Sequence, residues 1–556
     1  MGQCGQIRTL RRGCAVLLVC GLTGLPVEAG LFGKGRKGAP AEPEAQAQLQ
    51  TNATYAYSES FAGPTEGADL RVNWTCGFGW DWRDDALRHE LGGKQFAVLK
   101  NSPFGESVEV EATLTVSGST GTGWKIAGVS VFWDKPNYWH LAFVQSPIEE
   151  GTKHFVELSE NYEGTWLSQS KLKESPLPKL PDFVWETGRP YRLRIAMADG
   201  KITGTVSELD GTLRWQKAYA FSAPAVTKGR PALDNAGLFA AFQDVSATVS
   251  RAVKPPVIVE TTFPPYEVAA STIRQGKKTG FFHTERKWGR WWIIDPNGDA
   301  FWAVATDHCK YQGHWCQDLG YSPYHRKMVA TYGSDEAWAK SATDRLREWG
   351  FNTLGAGAGK TTHYKGLSHT LFTSLGGHFC HLGADFRISY PENEKPTPCS
   401  YFPNVFHPRF AEYCDLRAEE MCAPNREDPW LIGYFLDNEL KWWGKSAANA
   451  YGLFEDTMAK PAGHSAKVAL VNWLKKRYKW VSSFNRDWGA DVESFEAMLE
   501  LTELTGTNTE WVENDKVEFV RLIVDRYFRI GTEAIRRHDP NHMVLGCRFA
   551  GLNNPA

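Results

Sequence analysis

The sequence predicts a chain of two folded bodies, a β-sandwich followed by a parallel α/β sheet. Three observations predict it. Between about residues 55 and 250, apolar residues recur with period two and no convincing helix intervenes. After about residue 285, apolar strand-like runs alternate with amphipathic helices. Residues 251–285, between them, contain the Pro-rich run KPPVIVETTFPPYEV, which has the composition of a linker. The 556 residues are enough for several domains. With 42% hydrophobic and 23% charged residues, general disorder is excluded.

The first segment reads as an address. Arg8, Arg11 and Arg12 precede the apolar run GCAVLLVCGLTGLPV, and Val27-Glu28-Ala29 offers small residues for cleavage. Residues 1–29 are therefore expected to be a signal peptide, with export to the periplasm or the medium. Val19 before Cys20 fits a lipoprotein anchor poorly. Residues 30–50, rich in Gly, Ala, Pro and charge, read as a disordered tether. No other stretch reaches the ~18 apolar residues of a membrane span.

Charge and cysteine content narrow the partners. Lys plus Arg is 62 against 64 for Asp plus Glu, which gives no electrostatic reason to expect nucleic acid. Of 11 cysteines, Cys4, Cys14 and Cys20 lie in the leader. Cys309/Cys316 and Cys380/Cys399 are loop-spaced and could form disulfides in an exported protein. The absence of CxxC spacing argues against a zinc or redox site, and no metal or cofactor is expected.

Residues 51–250 form the expected sandwich. In SVEVEATLTVS, Val108, Val110, Ala112, Leu114 and Val116 share one face, as do Tyr191, Leu193, Ile195 and Met197 further on. Asp199-Gly200 supplies a hairpin turn. YWHLAFVQ and GLFAAFQDVSATVS are further strands. Of the 23 tryptophans most should be core, but Trp80, Trp82 or Trp139 could stand exposed and bind glycan.

Residues 286–556 hold five expected strands. KWGRWWIIDPNGDAFWAVATDH is a hairpin around Asp295–Gly298 that runs into the first, ending at Asp307-His308. SDEAWAKSATDRLREWG is a helix capped by Ser334 and ended by Gly350. FNTLGAG and HTLFTSLGG are the second and third strands, the latter followed by His378. WLIGYFLDNEL is the fourth and HMVLGCRFAG the fifth, ending at Arg548.

Active sites of parallel βα folds lie at the C-terminal ends of strands. The candidate residues are those found there: Asp307, His308, His378, Asn438, Glu439 and Arg548. Glycoside cleavage uses a carboxylic acid to protonate the leaving oxygen and a second carboxylate to attack or to activate water. Glu439 stands where such an acid is needed. Asn438 beside it offers an amide to a sugar hydroxyl, and Trp442 and Trp443 offer flat indoles.

The run IGYFLDNELKWW resembles the fourth-strand motif of clan-A glycoside hydrolases, in which Asn-Glu ends the strand. WWIIDPNGDAFWAVATDH, LREWGFNTLGAG and LKKRYKWVSSFNRDWG are similar to segments of β-agarase and β-galactosidase-like members, the agarases more closely. GLFAAFQDVSATVS looks like the last strand of concanavalin-like jelly rolls. The resemblance implies a (β/α)₈ TIM barrel, incomplete here, retention of configuration, and a galactose-containing polysaccharide or oligosaccharide as substrate. It implies Glu439 as general acid/base and Asn438 on the 2-hydroxyl of the attacked sugar. The family's nucleophile is a Glu ending the seventh strand, and no residue of this sequence fits it. Glu503 and Glu518 fall between the fourth and fifth strands. The expectation is a fragment covering strands one to five. A β-galactosidase-like exo-enzyme and a non-catalytic carbohydrate-binding protein are the alternatives.

Overall fold

A computed structural model describes residues 54–63, 69–121, 123–167, 183–221, 225–256, 262–268, 275–287, 289–314, 316, 318–319, 321–390, 401–444 and 450–550. They fall in one compact unit, Gln50–Ala556. The expected leader and tether lie outside the described residues.

The first body consists of two antiparallel sheets. One orders its strands as Leu213–Ala220, Lys201–Ser207, Pro190–Ala198, Phe104–Ser119, Leu238–Val253, Ala86–His89 and Trp80–Arg83, with Tyr55–Glu59 also paired to Leu238–Val253. The other runs Thr165–Leu167, His154–Tyr162, Asn137–Gln145, Lys125–Asp134, Arg230–Ala236, Gln95–Leu99 and Trp74–Cys76. Val108, Val110, Ala112, Leu114 and Val116 are all buried, as are Tyr191, Leu193, Ile195 and Met197, so the period-two faces do point into one core. At Asp199-Gly200, Ala198 pairs with Lys201 and both turn residues have positive φ, the geometry of a tight hairpin.

The glycan-facing aromatics expected on this body are largely core. Trp80 and Trp139 are 5% and 0% exposed, because their positions alternate onto the inner faces; Trp82 is half-buried against Phe61. One buried polar group needs explanation. Asp234 accepts hydrogen bonds from Lys94 Nζ (2.5 Å) and Ser130 Oγ (2.8 Å) and contacts His140 Nδ1 (3.0 Å). Burial opposes its charge, but Lys94 and His140 hold its carboxyl well below the usual range.

The second body is a parallel sheet of five strands in sequence order: β1 (Ala305–Thr306), β2 (Thr353–Leu354), β3 (Ser368–Phe372), β4 (Leu431–Asn438) and β5 (Met543–Arg548). All five expected strands are present, although β1 and β2 pair over two residues only. Among the described residues eight α-helices accompany them: α1 (Pro323–Tyr332), α2 (Asp335–Glu348), α3 (Leu375–Cys380), α4 (Phe410–Met421), α5 (Gly452–Met458), α6 (Ser465–Tyr478), α7 (Val481–Trp488) and α8 (Thr509–His538). Ser334 caps α2, accepting from the Ala337 N–H at 3.2 Å. The hairpin His283–Lys287/Arg290–Ile294 leads in, and Asp295 Oδ1 ties its next turn to the Asn297 and Asp299 amides.

Arg548 at the end of β5 hydrogen bonds Asp307 just past β1. These strands are opposite edges of the sheet, four spacings or roughly 19 Å apart if it were flat. An arginine and an aspartate cannot bridge that distance, so the sheet curls until its edges face each other across an interior. No closed sheet is formed by the described strands.

The two bodies share a packed boundary. Phe78 of the sandwich is 4% exposed within the core of the α/β body, edge-on to Tyr413 at 5.1 Å. The Arg409 guanidinium lies over its ring at 4.4 Å and bonds Asp81 at 3.1 Å. Cys309, Cys316 and Cys380 are free thiols, which corrects the expected Cys309/Cys316 bridge; Cys380 is sealed in the core, and Cys399 lies outside the described residues.

Candidate active site

The site is built at the C-terminal ends of β1, β4 and β5. Asp307, Asn438, Glu439 and Arg548 come together there. Arg548 Nη1 bonds Asp307 Oδ2, and Arg548 Nη2 lies 3.5 Å from Glu439 Oε1, so one guanidinium spans two carboxylates. The Glu439 amide continues the ladder to the Arg548 carbonyl at 2.8 Å. All three side chains keep partial access to solvent, at 23% for Glu439, 30% for Asp307 and 37% for Arg548. That is enough for a substrate to reach them and too much for the ion pairs to be strongly stabilising.

Three strand ends leave ordinary backbone geometry. His308, Ser374 and Glu439 have φ of 55°, 53° and 56°, in the left-handed region that side chains other than Gly rarely adopt. At Glu439 this turn breaks the strand and swings the carboxylate toward Arg548. His308 is exposed, 3.3 Å from Asp307 and ring-to-ring with His314 at 5.6 Å. His378 sits exposed on α3, outside that cluster of contacts.

The two indoles are not equivalent. Trp442 is 6% exposed, stacked on Phe528 at 5.6 Å and edge-on to Tyr527 and Phe402. The expectation that it binds substrate is corrected: its ring is a core element, because the turn after Glu439 folds back onto α8. Trp443 is partly buried against the same core. Glu518, between β4 and β5, pairs with Arg521 on α8.

The Asn438 Oδ1 atom is buried and has no hydrogen-bond partner. Buried polar atoms are normally satisfied, so this one is poised to accept from something that enters the site. Asp437 went unassigned in the sequence. It is 2% exposed and accepts from the Gly376 N–H (2.6 Å), the Gly377 N–H (2.7 Å) and Tyr527 Oη (2.7 Å). Burial lifts its carboxyl to about 6 against the pull of those donors. The signal was available: a charge at the end of an apolar strand needs a partner, and Gly376-Gly377 permits close approach. Among the described residues no His, Cys, Asp and Glu are grouped to hold a metal ion.

No protein-family model matches the sequence. It is similar to β-agarase B of Vibrio sp. (strain JT0107), 24% identical over 337 residues, or 49% of this chain and 34% of that protein. β-Agarase A of the same strain is 23% identical over 318 residues, 47% of this chain and 30% of that protein. The chain thus spans about a third of the length of the curated relatives it matches. Among solved structures, an agarase overlays with a TM-score of 0.43 at 16% identity, covering 90% of this chain and 80% of its own. An exo-β-agarase overlays at 0.40 and 14% identity, covering 88% and 80%. A carbohydrate-binding module of Bacillus subtilis covers 31% of this chain and 94% of its own at 0.24 and 16% identity. Overlays this loose do not define a fold.

Proposed function

We propose that the chain carries the acid/base half of an exported, β-agarase-like glycoside hydrolase acting on a galactose-containing polysaccharide. The five strands are then consecutive strands of a (β/α)₈ barrel, and the sandwich is an accessory body able to bind glycan. The observation that carries the reading is Glu439, turned out of β4 by its left-handed backbone and grouped with Asn438, Arg548 and Asp307. The similarity to two β-agarases supports the substrate class.

In this reading Glu439 protonates the leaving glycosidic oxygen and later deprotonates water, with retention of configuration. Asn438 Oδ1 accepts from a hydroxyl of the attacked sugar, satisfying an atom that is otherwise orphaned. Arg548 holds the carboxylates of Asp307 and Glu439 in register, and His308 and Trp443 flank the sugar. His378 lies further out on the same rim.

A second reading is a carbohydrate-binding protein without turnover. The shared guanidinium favours it, since an ion-paired cluster of two carboxylates and an arginine can bind hydroxyls without cleaving. Reducing-end release from agarose, porphyran and carrageenan by the full chain separates the two. Glu439→Gln should cut hydrolysis by about 10²–10⁴-fold, the size of a general acid's contribution, with azide partly restoring turnover of activated galactosides. Near-normal hydrolysis by that variant removes Glu439 from the chemistry. Binding without hydrolysis by the wild type establishes the second reading.

A further inference from the structure

We propose that a bulge in β4 is what turns Asn438 toward Arg548, and that Asp437 is the positioning residue that holds this bulge in place. The proposal rests on the reading of Glu439 as the acid of the site.

Along the β4–β5 pair, Phe435 lies opposite Gly546 and Asn438 opposite Arg548. Three steps along β4 therefore match two along β5, directly after an opposite shift in which the single step from Tyr434 to Phe435 spans two on β5, from Val544 to Gly546. One extra residue places two successive side chains on the same face of a strand. Leu436 and Asp437 are those two. Leu436 lies against Gly531 of α8, and Asp437 bonds Tyr527 of the same helix. A regular strand alternates. With Leu436 on the helix side, an unbulged β4 would aim Asp437 into the site and Asn438 at the helices. The bulge exchanges them.

A buried carboxylate would not persist there without compensation. Asp437 has three donors from two elements, the first turn of α3 and the middle of α8. The glycines make this approach possible. A Cβ on Gly376 would lie 3.0 Å from Asp437 Oδ2 and 2.8 Å from Pro403 Cγ, and one on Gly377 would lie 3.1 Å from Asp437 Oδ1. The carbonyl of Leu436, inside the bulge, is taken by the Thr373 hydroxyl at 3.1 Å. The irregular turn thus has its polar atoms answered from α3, α8 and the end of β3. Without the carboxylate, the extra residue can pass into the loop after β4. The strand then returns to alternation, and Asn438 leaves the site.

The test uses Asp437→Ala, Asp437→Asn and Tyr527→Phe in the full chain. Crystal structures read the β4–β5 register, and kcat and KM on agaro-oligosaccharides are measured per folded molecule. In Asp437→Ala we expect Asn438 no longer opposite Arg548, and kcat lower by about 10²-fold with KM little changed, as for an acid moved by about 1 Å. Tyr527→Phe keeps two of three donors and should lose less than about tenfold. If Asp437→Ala does not fold, Asp437→Asn carries the same two measurements. A bulge kept in every folded Asp437 variant overturns the proposal whatever the rate does. A lost bulge with unchanged kcat overturns the link to the chemistry. A wild-type chain that hydrolyses nothing removes the functional reading, and the register still decides whether Asp437 holds the bulge.

Discussion

The sandwich and the parallel sheet put left-handed backbone to different uses. In the sandwich, positive φ falls at turns between neighbouring strands, such as Asp84-Asp85, Glu163-Gly164 and Asp199-Gly200, and also at Phe61, at Thr152 and, within the strand Leu238–Val253, at Asp244 and Arg251. In the α/β body it falls at His308, Ser374 and Glu439, past strand ends, where no reversal to the next strand is made, and also at Tyr364 ahead of β3 and at Lys479, which closes α6. At the turns of the first body it serves chain direction, and Asp and Gly, which tolerate it, carry much of it. At the three strand ends of the second it serves side-chain direction and is carried by His, Ser and Glu. At the ends of the parallel strands, left-handed backbone thus accompanies the site.

The buried charges differ in the same sense. Asp234 is enclosed by Lys94, His140 and Ser130 within one sheet, and nothing about it faces a cleft. Asp437 is held by two helices next to the site. Asp234→Ala removes the buried carboxylate shared by Lys94 and His140 and should cost about 3–5 kcal/mol of stability, read by urea unfolding, with no change in turnover per folded molecule. A fall in turnover would break the division between a structural and a functional body.

Phe78→Ala probes the boundary. Removing a buried aromatic costs about 3 kcal/mol or more, and the loss should appear in the unfolding of the α/β body, whose core the ring fills. Loss confined to the sandwich transition would make the two bodies energetically independent.

Arg548→Met removes the guanidinium shared by Asp307 and Glu439. Turnover should fall by about 10²-fold, the size of losing one aligned donor, while the melting temperature changes little because the pair is partly exposed. Equal loss of stability would make Arg548 a strut between sheet edges.

The smallest effect belongs to Glu160. Its Oε1 accepts from the Val226 N–H at 2.6 Å, its Oε2 has no partner, and burial lifts its carboxyl to about 7. The folded value lies above the unfolded one of about 4.3. Its stabilisation is therefore complete below about pH 4.3 and is lost as pH rises through about 7. The sandwich transition should drop by a few degrees between pH 5 and pH 8, at roughly 2–4 °C for each kcal/mol. Glu160→Gln should flatten that slope. An unchanged slope would mean the carboxylate is answered in the charged state.

The sequence by itself determined the order and type of the elements. Apolar period two in 108–116 and 191–197 survives into the structure because each strand buries one face, and that is a local property. The five parallel strands were legible because apolar runs alternating with helices admit few other arrangements. Asn438 and Glu439 were legible as candidates because a polar pair closing an apolar run is conspicuous. What the tertiary structure decided is where the side chains go. Trp442 entered the core and Trp80 and Trp139 the sandwich, since an indole's neighbours come from distant segments. The Arg548–Asp307 contact spans 241 positions and depends on the curl of the sheet, and no local pattern encodes that. The bulge at Leu436–Asp437 is a mismatch between two strands more than a hundred residues apart, so neither strand's sequence alone contains it.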